Sequence, residues 1–199
     1  MDLFDLSKAI KALSNGEIVV YPTDTLYGLG ADIYNNDAVK KVFKIKKRPF
    51  NNPLSIAVSD FKELKKLAYT DKNTQILAKS FLPGKLTLIL YKKNCVSDII
   101  TGNLDKVAVR IPNNKIALEL LSNFGPLTAT SANTHGLKTP SNIRDIKKQL
   151  KTNDIAVCFD IGNINDKPST IVDLTNNKIK ILRKGAIENK DILDAILDE

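Results

Sequence analysis

Two spacings of apolar residues divide this chain into helices and strands. Leu3, Leu6, Ile10 and Leu13 recur at helical intervals and predict a helix over 3–13, closed by Asn15-Gly16. The unbroken run Ile18–Tyr21, bounded by Gly16 and Pro22, predicts a buried strand. Val39, Val42, Phe43 and Ile45 predict a helix through Lys46, capped by Asn35 or Asn36. Leu54–Val58 reads as a strand, Phe61–Leu67 as a short helix, Asp71–Phe81 as a helix stopped by Pro83-Gly84, and Leu86–Tyr91 as a strand. Val107–Ile111 is another strand, Lys115–Phe124 a helix ended by Gly125-Pro126, and Leu127–Thr130 a short strand. Ser141 is the expected N-cap of a helix to Leu150. Ile155–Phe159 is a strand, Thr170–Leu174 and Lys178–Arg183 pair as a hairpin through Thr-Asn-Asn, and Asp191–Leu197 is the last helix.

Strands and helices interleave throughout, without internal repeats or a low-complexity linker. The expected class is α/β with mixed α+β character, a single domain over 1–199 built on one mixed sheet. Several strands follow one another too closely for an all-parallel arrangement.

The stretch from Ile18 to Leu54 is the most unusual part of the pattern. A buried strand breaks into a loop in which Pro22 sets one turn, Gly28 and Gly30 permit another, and Thr23, Thr25 and Tyr27 supply hydroxyls. A helix then delivers Lys44, Lys46, Lys47 and Arg48 to a second proline-bounded break. A strand ending in hydroxyls, followed by a basic cluster, makes a cradle for an anion.

Composition narrows the classes. With 43% hydrophobic residues the chain can bury a sizeable core, but without Trp that core must be mostly aliphatic. No apolar run reaches the length of a membrane span, and the N-terminal residues lack the pattern of a secretory signal. Cys95 and Cys158 are distant and lack metal-site spacing, which fits reduced thiols in the cytoplasm. The net charge of +8 favours anionic partners such as nucleotides, phosphates or RNA. Of the 30 basic residues four are Arg, and Arg48, Arg110 and Arg183 each close an element beside turn residues. Where Lys is the default cation, Arg at such places implies a need for a planar, bidentate donor.

Several devices are missing. There is no P-loop, no dinucleotide fingerprint, no His/Cys cluster for zinc and no nucleophile elbow. The one histidine, His135, reads as a loop residue beside Gly136. What remains is a set of polar groups at strand ends: Thr23, Thr25, Lys46, Arg48, Asn52, Arg110, Thr130, Ser131, Asn133, Ser141, Ser169, Thr170 and Arg183. It offers donors and positive charge with little general-base capacity. Such a set suits a polyphosphate and a carboxylate, with charge stabilised as a phosphoryl centre reacts.

The strings P-T-D-T-L-Y-G-L-G (22–30), K-x-R-P (46–49) with N-P-L (52–54), P-G-K-L-T (83–87), V-R-I-P (109–112), T-S-A-N (130–133), P-S-T-I-V-D (168–173) and L-R-K-G-A-I (182–187) occur in that order. Together they resemble the YrdC family, the threonylcarbamoyl-AMP synthases, from about Gly16 to Ile187. The resemblance implies a twisted mixed sheet flanked by helices, with a large basic concave face. It implies a nucleotidyltransferase that joins L-threonine, bicarbonate and ATP into L-threonylcarbamoyladenylate and releases pyrophosphate. A threonylcarbamoyl-transferase complex would pass the group to tRNA next to the anticodon. Mg²⁺ is expected with ATP, and no organic cofactor or protein metal site.

The same resemblance assigns roles. The K-x-R…S-x-N signature falls on Lys46, Arg48, Ser131 and Asn133 as catalytic residues. Arg48, Asn52, Asn133, Ser141 and Arg183 are the implied ATP contacts, and Thr25, Arg110, Ser131 and Ser169 the implied threonine contacts. Two departures stand out. F-L-P-G lacks the Trp and the second Pro often seen at that corner, and T-H-G replaces S-G after the signature, which puts His135 near the nucleotide loop. Two other readings compete: a carbamoyl-adenylate-forming paralogue with another acceptor, and a non-catalytic module that binds double-stranded or structured RNA directly.

Overall fold

The computed structural model describes residues 3–151, 153–176 and 179–197. In order, the elements are α1 (Leu3–Ser14), β1 (Ile18–Pro22), β2 (Tyr27–Gly30), α2 (Asn36–Lys46), β3 (Ser55–Ala57), α3 (Phe61–Leu67), α4 (Lys72–Phe81), β4 (Leu86–Tyr91), α5 (Asp98–Thr101), β5 (Lys106–Arg110), α6 (Lys115–Phe124), β6 (Leu127–Thr128), β7 (Thr130–Ser131), α7 (Ile143–Leu150), β8 (Ile155–Cys158), β9 (Thr170–Asp173), β10 (Lys180–Arg183) and α8 (Asn189–Leu197).

The strands form two mixed sheets, not the single one expected. One has the order β7-β2-β1-β8 and the other β10-β9-β4-β5-β3-β6. In the first, β1 pairs antiparallel with β2 and parallel with β8. In the second, parallel pairs (β9 with β4, β5 with β3) alternate with antiparallel ones. The segment read as one strand, Leu127–Thr130, divides: β6 joins the larger sheet and β7 the smaller, so Ala129 is a corner between them.

β1 is apolar at every position because both of its faces are covered. Ile18 and Val20 enter the main core with α2, while Val19 and Tyr21 pack with α1 and α6 through Leu13, Leu120 and Leu121. The Tyr21 hydroxyl donates to the Thr128 carbonyl at 3.0 Å, tying the smaller sheet to the larger.

Gly28 and Gly30 were expected in a turn, but they lie in β2 opposite Tyr21 and Val19. A Cβ would stand 3.2 Å from the Tyr21 ring at Gly28 and 3.0 Å from it at Gly30. The glycines are there so that a strand can pass under an aromatic ring. Asn35, not Asn36, caps α2, accepting from the amides of Asp37 and Ala38. Asn142, not Ser141, caps α7, accepting from Asp145 N–H. The short helix α5 was not anticipated. Asn177 of the expected hairpin turn and Lys178, expected to open the second strand, lie outside the described residues; β9 and β10 do pair antiparallel.

Candidate active site

The larger sheet has one face in the core and one that forms a floor. Along β4, Leu86, Leu88 and Leu90 point into the core and Thr87 and Ile89 away from it; along β5, Val107 and Val109 point in, and Ala108 and Arg110 away. Ser55 and Ala57 on β3 and Ile171 on β9 complete this floor. The β1–β2 turn, Ala129–Ser131, Arg48, Pro168, Ser169 and Arg183 form the walls of a cavity of about 360 Å³. Small side chains at positions 57, 108 and 129 keep the floor low. The cavity thus gathers Thr25, Arg48, Arg110, Ser131, Ser169 and Arg183 from six separate places in the sequence.

Arg110 is fixed in place. It is 6% exposed. Its Nη2 donates to Asp24 Oδ1 at 2.6 Å and to Gly84 O at 3.2 Å, and its Nη1 to Thr25 Oγ1 at 3.0 Å. Burial lowers its affinity for its proton, while the Asp24 carboxylate acts the other way. Asp24 Oδ2 and Arg110 Nε are buried without a partner. The hydroxyls nearby have defined directions. Thr23 donates to Leu26 O at 2.6 Å, so its oxygen accepts from Thr25 at 3.0 Å. Thr25 Oγ1 therefore accepts from Arg110 and has no proton to offer a ligand.

Arg48 is held differently. Lys47, left-handed at φ 51°, ends α2 and turns the chain away from the helix axis. Arg48 Nε then donates to Asn52 O at 3.0 Å and Nη2 to Pro53 O at 2.8 Å. Its third contact is the His135 ring. Arg183 donates from Nε to Ser169 O and from Nη2 to Ser169 Oγ, both at 3.0 Å, and Ser169 Oγ also meets Thr87 Oγ1 at 2.8 Å. Arg48 and Arg183 have no carboxylate among these partners. Burial lowers the proton affinity of both, and the Arg110 charge adds to the effect at Arg183.

Lys46 and Asn133 are not on the cavity wall. Lys46 is 1% exposed. Its ammonium donates to the carbonyls of Ser131 and Asn133 and to Asn133 Oδ1, which also accepts from the Ser131 hydroxyl at 2.6 Å. One N–H serves each of three oxygens. Burial first, and then the Arg48 charge, push Lys46 down to about 7; the three oxygens favour its charged form. Lys46 and Asn133 thus clasp the signature loop to the end of α2. Asn52 meets the same His135 ring with its side chain. Ser141 stands apart, 3.4 Å from Asn163 Oδ1, at a separate cavity of about 250 Å³ with Lys138, Asp145 and Asn165.

Asp24 and Thr87 were missed as site residues. Thr87 had a signal: a hydroxyl inside the apolar strand L-T-L-I-L needs a buried partner. Asp24 had none beyond its place between two threonines.

Fold and cavity together define an α/β protein with a cationic cleft between two sheets. A family model for the Sua5/YciO/YrdC domain, described as "Telomere recombination", matches residues 11–185. The chain belongs to that family. It is 44% identical over 179 residues to a putative threonylcarbamoyl-AMP synthase of Methanocaldococcus jannaschii, covering 89% of this chain and 84% of that one. It is 35% identical to the threonylcarbamoyl-AMP synthase of Bacillus subtilis, covering 96% of this chain and 56% of that one. Pyrococcus abyssi Sua5 complexed with L-threonine superposes with a TM-score of 0.91 at 37% identity, over 96% of this chain and 57% of that one. Escherichia coli YciO gives 0.86 at 28% identity, over 94% and 92%. This chain therefore spans little more than half the length of the Bacillus and Pyrococcus proteins. No helix among the described residues is long and apolar enough to cross a membrane.

Proposed function

We propose that this chain is an L-threonylcarbamoyladenylate synthase, a nucleotidyltransferase that uses L-threonine, bicarbonate and ATP. One observation carries the reading: the cleft has two electrostatic ends. At one, Arg110 is offset by Asp24. That end suits an amino acid, whose own charges cancel. At the other, Arg48 keeps an uncompensated charge, which suits a polyphosphate, and Arg183, close enough to Arg110 to feel its charge, stands between the two. The relatives' names supply the substrates; the Pyrococcus structure supplies threonine as a ligand of that protein.

In this reading the remaining N–H of Arg110 Nη1 takes the threonine carboxylate, and Thr25 accepts from its amine or hydroxyl. Ser131 and Ser169 border the reacting centre. The amine captures bicarbonate as a carbamate with loss of water. A carbamate oxygen then attacks the α-phosphorus, and pyrophosphate leaves toward Arg48. The protein contributes position and charge neutralisation. Asn52 lies on the nucleotide side, Asn133 acts there only through the signature loop it holds with Lys46, and Ser141, at its separate cavity, is the proposed contact for the far end of the nucleotide. Among the described residues no group of three or more acidic, His or Cys side chains is placed to hold a metal. Mg²⁺ would arrive on the triphosphate. The product would pass to a transfer complex acting on cytoplasmic tRNA.

One surface favours a second, compatible reading, direct RNA contact. Phe50 is 57% exposed and packs on Phe43, ring centroids 4.8 Å apart, in a shallow groove with Lys40, Lys44 and Lys47. The deciding assay is pyrophosphate release with ATP, bicarbonate and single amino acids. Threonine-dependent release is expected. Its absence, with RNA binding retained, would replace the synthase by the binding module.

A further inference from the structure

The T-H-G that follows the signature puts the chain's one histidine against the phosphate-facing arginine. His135 N–H donates to Lys46 O at 2.7 Å, which seats the residue on the end of α2. Its imidazole then bridges two groups: Nδ1 lies 3.3 Å from Arg48 Nη1, and Nε2 lies 3.2 Å from the Asn52 side-chain amide.

Donor logic fixes the tautomer. A guanidinium only donates, so Nδ1 must be the lone-pair nitrogen. Nε2 then carries the hydrogen and donates to Asn52, whose amide accepts through Oδ1 after a half-turn that exchanges its oxygen and nitrogen. The consequence falls on Arg48. Of its five N–H groups, one goes to Asn52 O, one to Pro53 O and one to His135. Two remain for a ligand, the number needed for a forked contact to a phosphate. The two carbonyls hold the Nε and Nη2 side of the guanidinium. His135 supplies the hold on Nη1.

We propose that His135 is a positioning residue for Arg48: its neutral ring locks the guanidinium plane and the Asn52 amide, aiming the two spare N–H groups at the triphosphate. The role rests on the synthase reading for its substrate. It needs an acceptor at Nδ1 and a donor at Nε2, and contributes no contact to the amino acid end, where Arg110 has its own partners.

The test compares His135→Ala with His135→Gln, whose amide offers an acceptor and a donor in one group. Pyrophosphate release is measured with ATP and threonine varied separately, alongside calorimetric binding of ATP and thermal unfolding. For His135→Ala the expected result is a rise of roughly tenfold to a hundredfold in the KM for ATP, the scale for losing one hydrogen bond to a charged group. The KM for threonine and the melting temperature should hold. His135→Gln should recover most of the ATP affinity. An unchanged KM for ATP in His135→Ala would overturn the proposal. So would an equal rise in both KM values, or failure of Gln to rescue, since either marks a general role in loop structure. The two readings fail separately. If the unaltered protein binds ATP but releases no pyrophosphate, the synthase reading falls, and the ATP binding of the two variants still decides the role of His135. If it does not bind ATP, both fall.

Discussion

Arg110 and Arg48 face one cavity from opposite environments. Arg110 lies at the end of a central strand, 6% exposed, against a carboxylate, a carbonyl and a hydroxyl. Arg48 lies in the irregular segment between α2 and β3 and meets only neutral acceptors. The first is a buried ion pair with directional contacts around it; the second is a cation held in place by dipoles. A charge cancelled inside the protein orients a ligand without attracting it from afar. A charge left uncompensated attracts an anion and stabilises charge that develops in the reaction. Removing the first should therefore damage the fold, and removing the second should damage the chemistry.

Arg110→Ala gives the largest expected effect. It leaves Asp24, already short of a partner at Oδ2, as an unpaired charge under the β1–β2 turn. The cost should be about 3–5 kcal/mol of stability, read from a denaturant melt. The paired change Arg110→Met with Asp24→Asn should return most of that stability while threonine-dependent turnover stays lost. If Arg110→Ala melts with the unaltered protein, the ion pair does not hold the β1–β2 turn in place.

Arg48→Ala should do the reverse. Its partners are two carbonyls and an imidazole that water can satisfy, so the melt should barely move. Turnover should fall by about 100-fold or more, the scale for losing a preorganised donor at a charge-developing oxygen. Full activity in this variant would place the phosphate end elsewhere.

The two ends were not equally legible in the sequence. Arg110 terminates an apolar strand whose period-two pattern shows which residues face away from the core, so its place at a strand end, facing away from the core, could be read. The Arg48 end depends on Lys46 reaching across 85 residues of chain to Ser131 and on His135 meeting Arg48, contacts that no local pattern encodes. The elements themselves were mostly legible because burial writes itself as periodicity. The division into two sheets was not. It turns on Ala129 as a corner and on glycines that read as turn formers, although Gly28 and Gly30 are there to pass beneath Tyr21. Asp24 was illegible for a related reason: the arginine that needs it is 86 positions away.

Lys46 tests the clasp that joins the Arg48 end to the signature loop. Its pKa is lowered from 10.5 to about 7, mainly by burial. Between those values the unfolded chain binds a proton that the native protein does not. Native stability should therefore rise with pH across that window, by up to about 1.4 kcal/mol per unit for one group, and level off below pH 7. Lys46→Met should remove that slope and also weaken ATP binding, because Ser131 and Asn133 lose their shared donor. A slope that survives the substitution would assign the titration to another group.

Thr87→Val is the finest probe of the boundary between the two ends. Val fills nearly the same volume at a position 2% exposed, so packing is kept and only the hydroxyl is lost. That hydroxyl meets Ser169 Oγ at 2.8 Å, and Ser169 also accepts from Arg183. With Thr87 gone, Arg183 alone holds the serine. The stability loss should be about 1 kcal/mol. The KM for threonine should rise about threefold to fivefold, through a serine free to rotate, while the KM for ATP stays put. Thr87→Val combined with Ser169→Ala should cost no more than Ser169→Ala alone, because both act through one hydroxyl. A larger change in the KM for ATP than for threonine would move Ser169 to the phosphate side and shift the boundary from Arg183 toward Arg110.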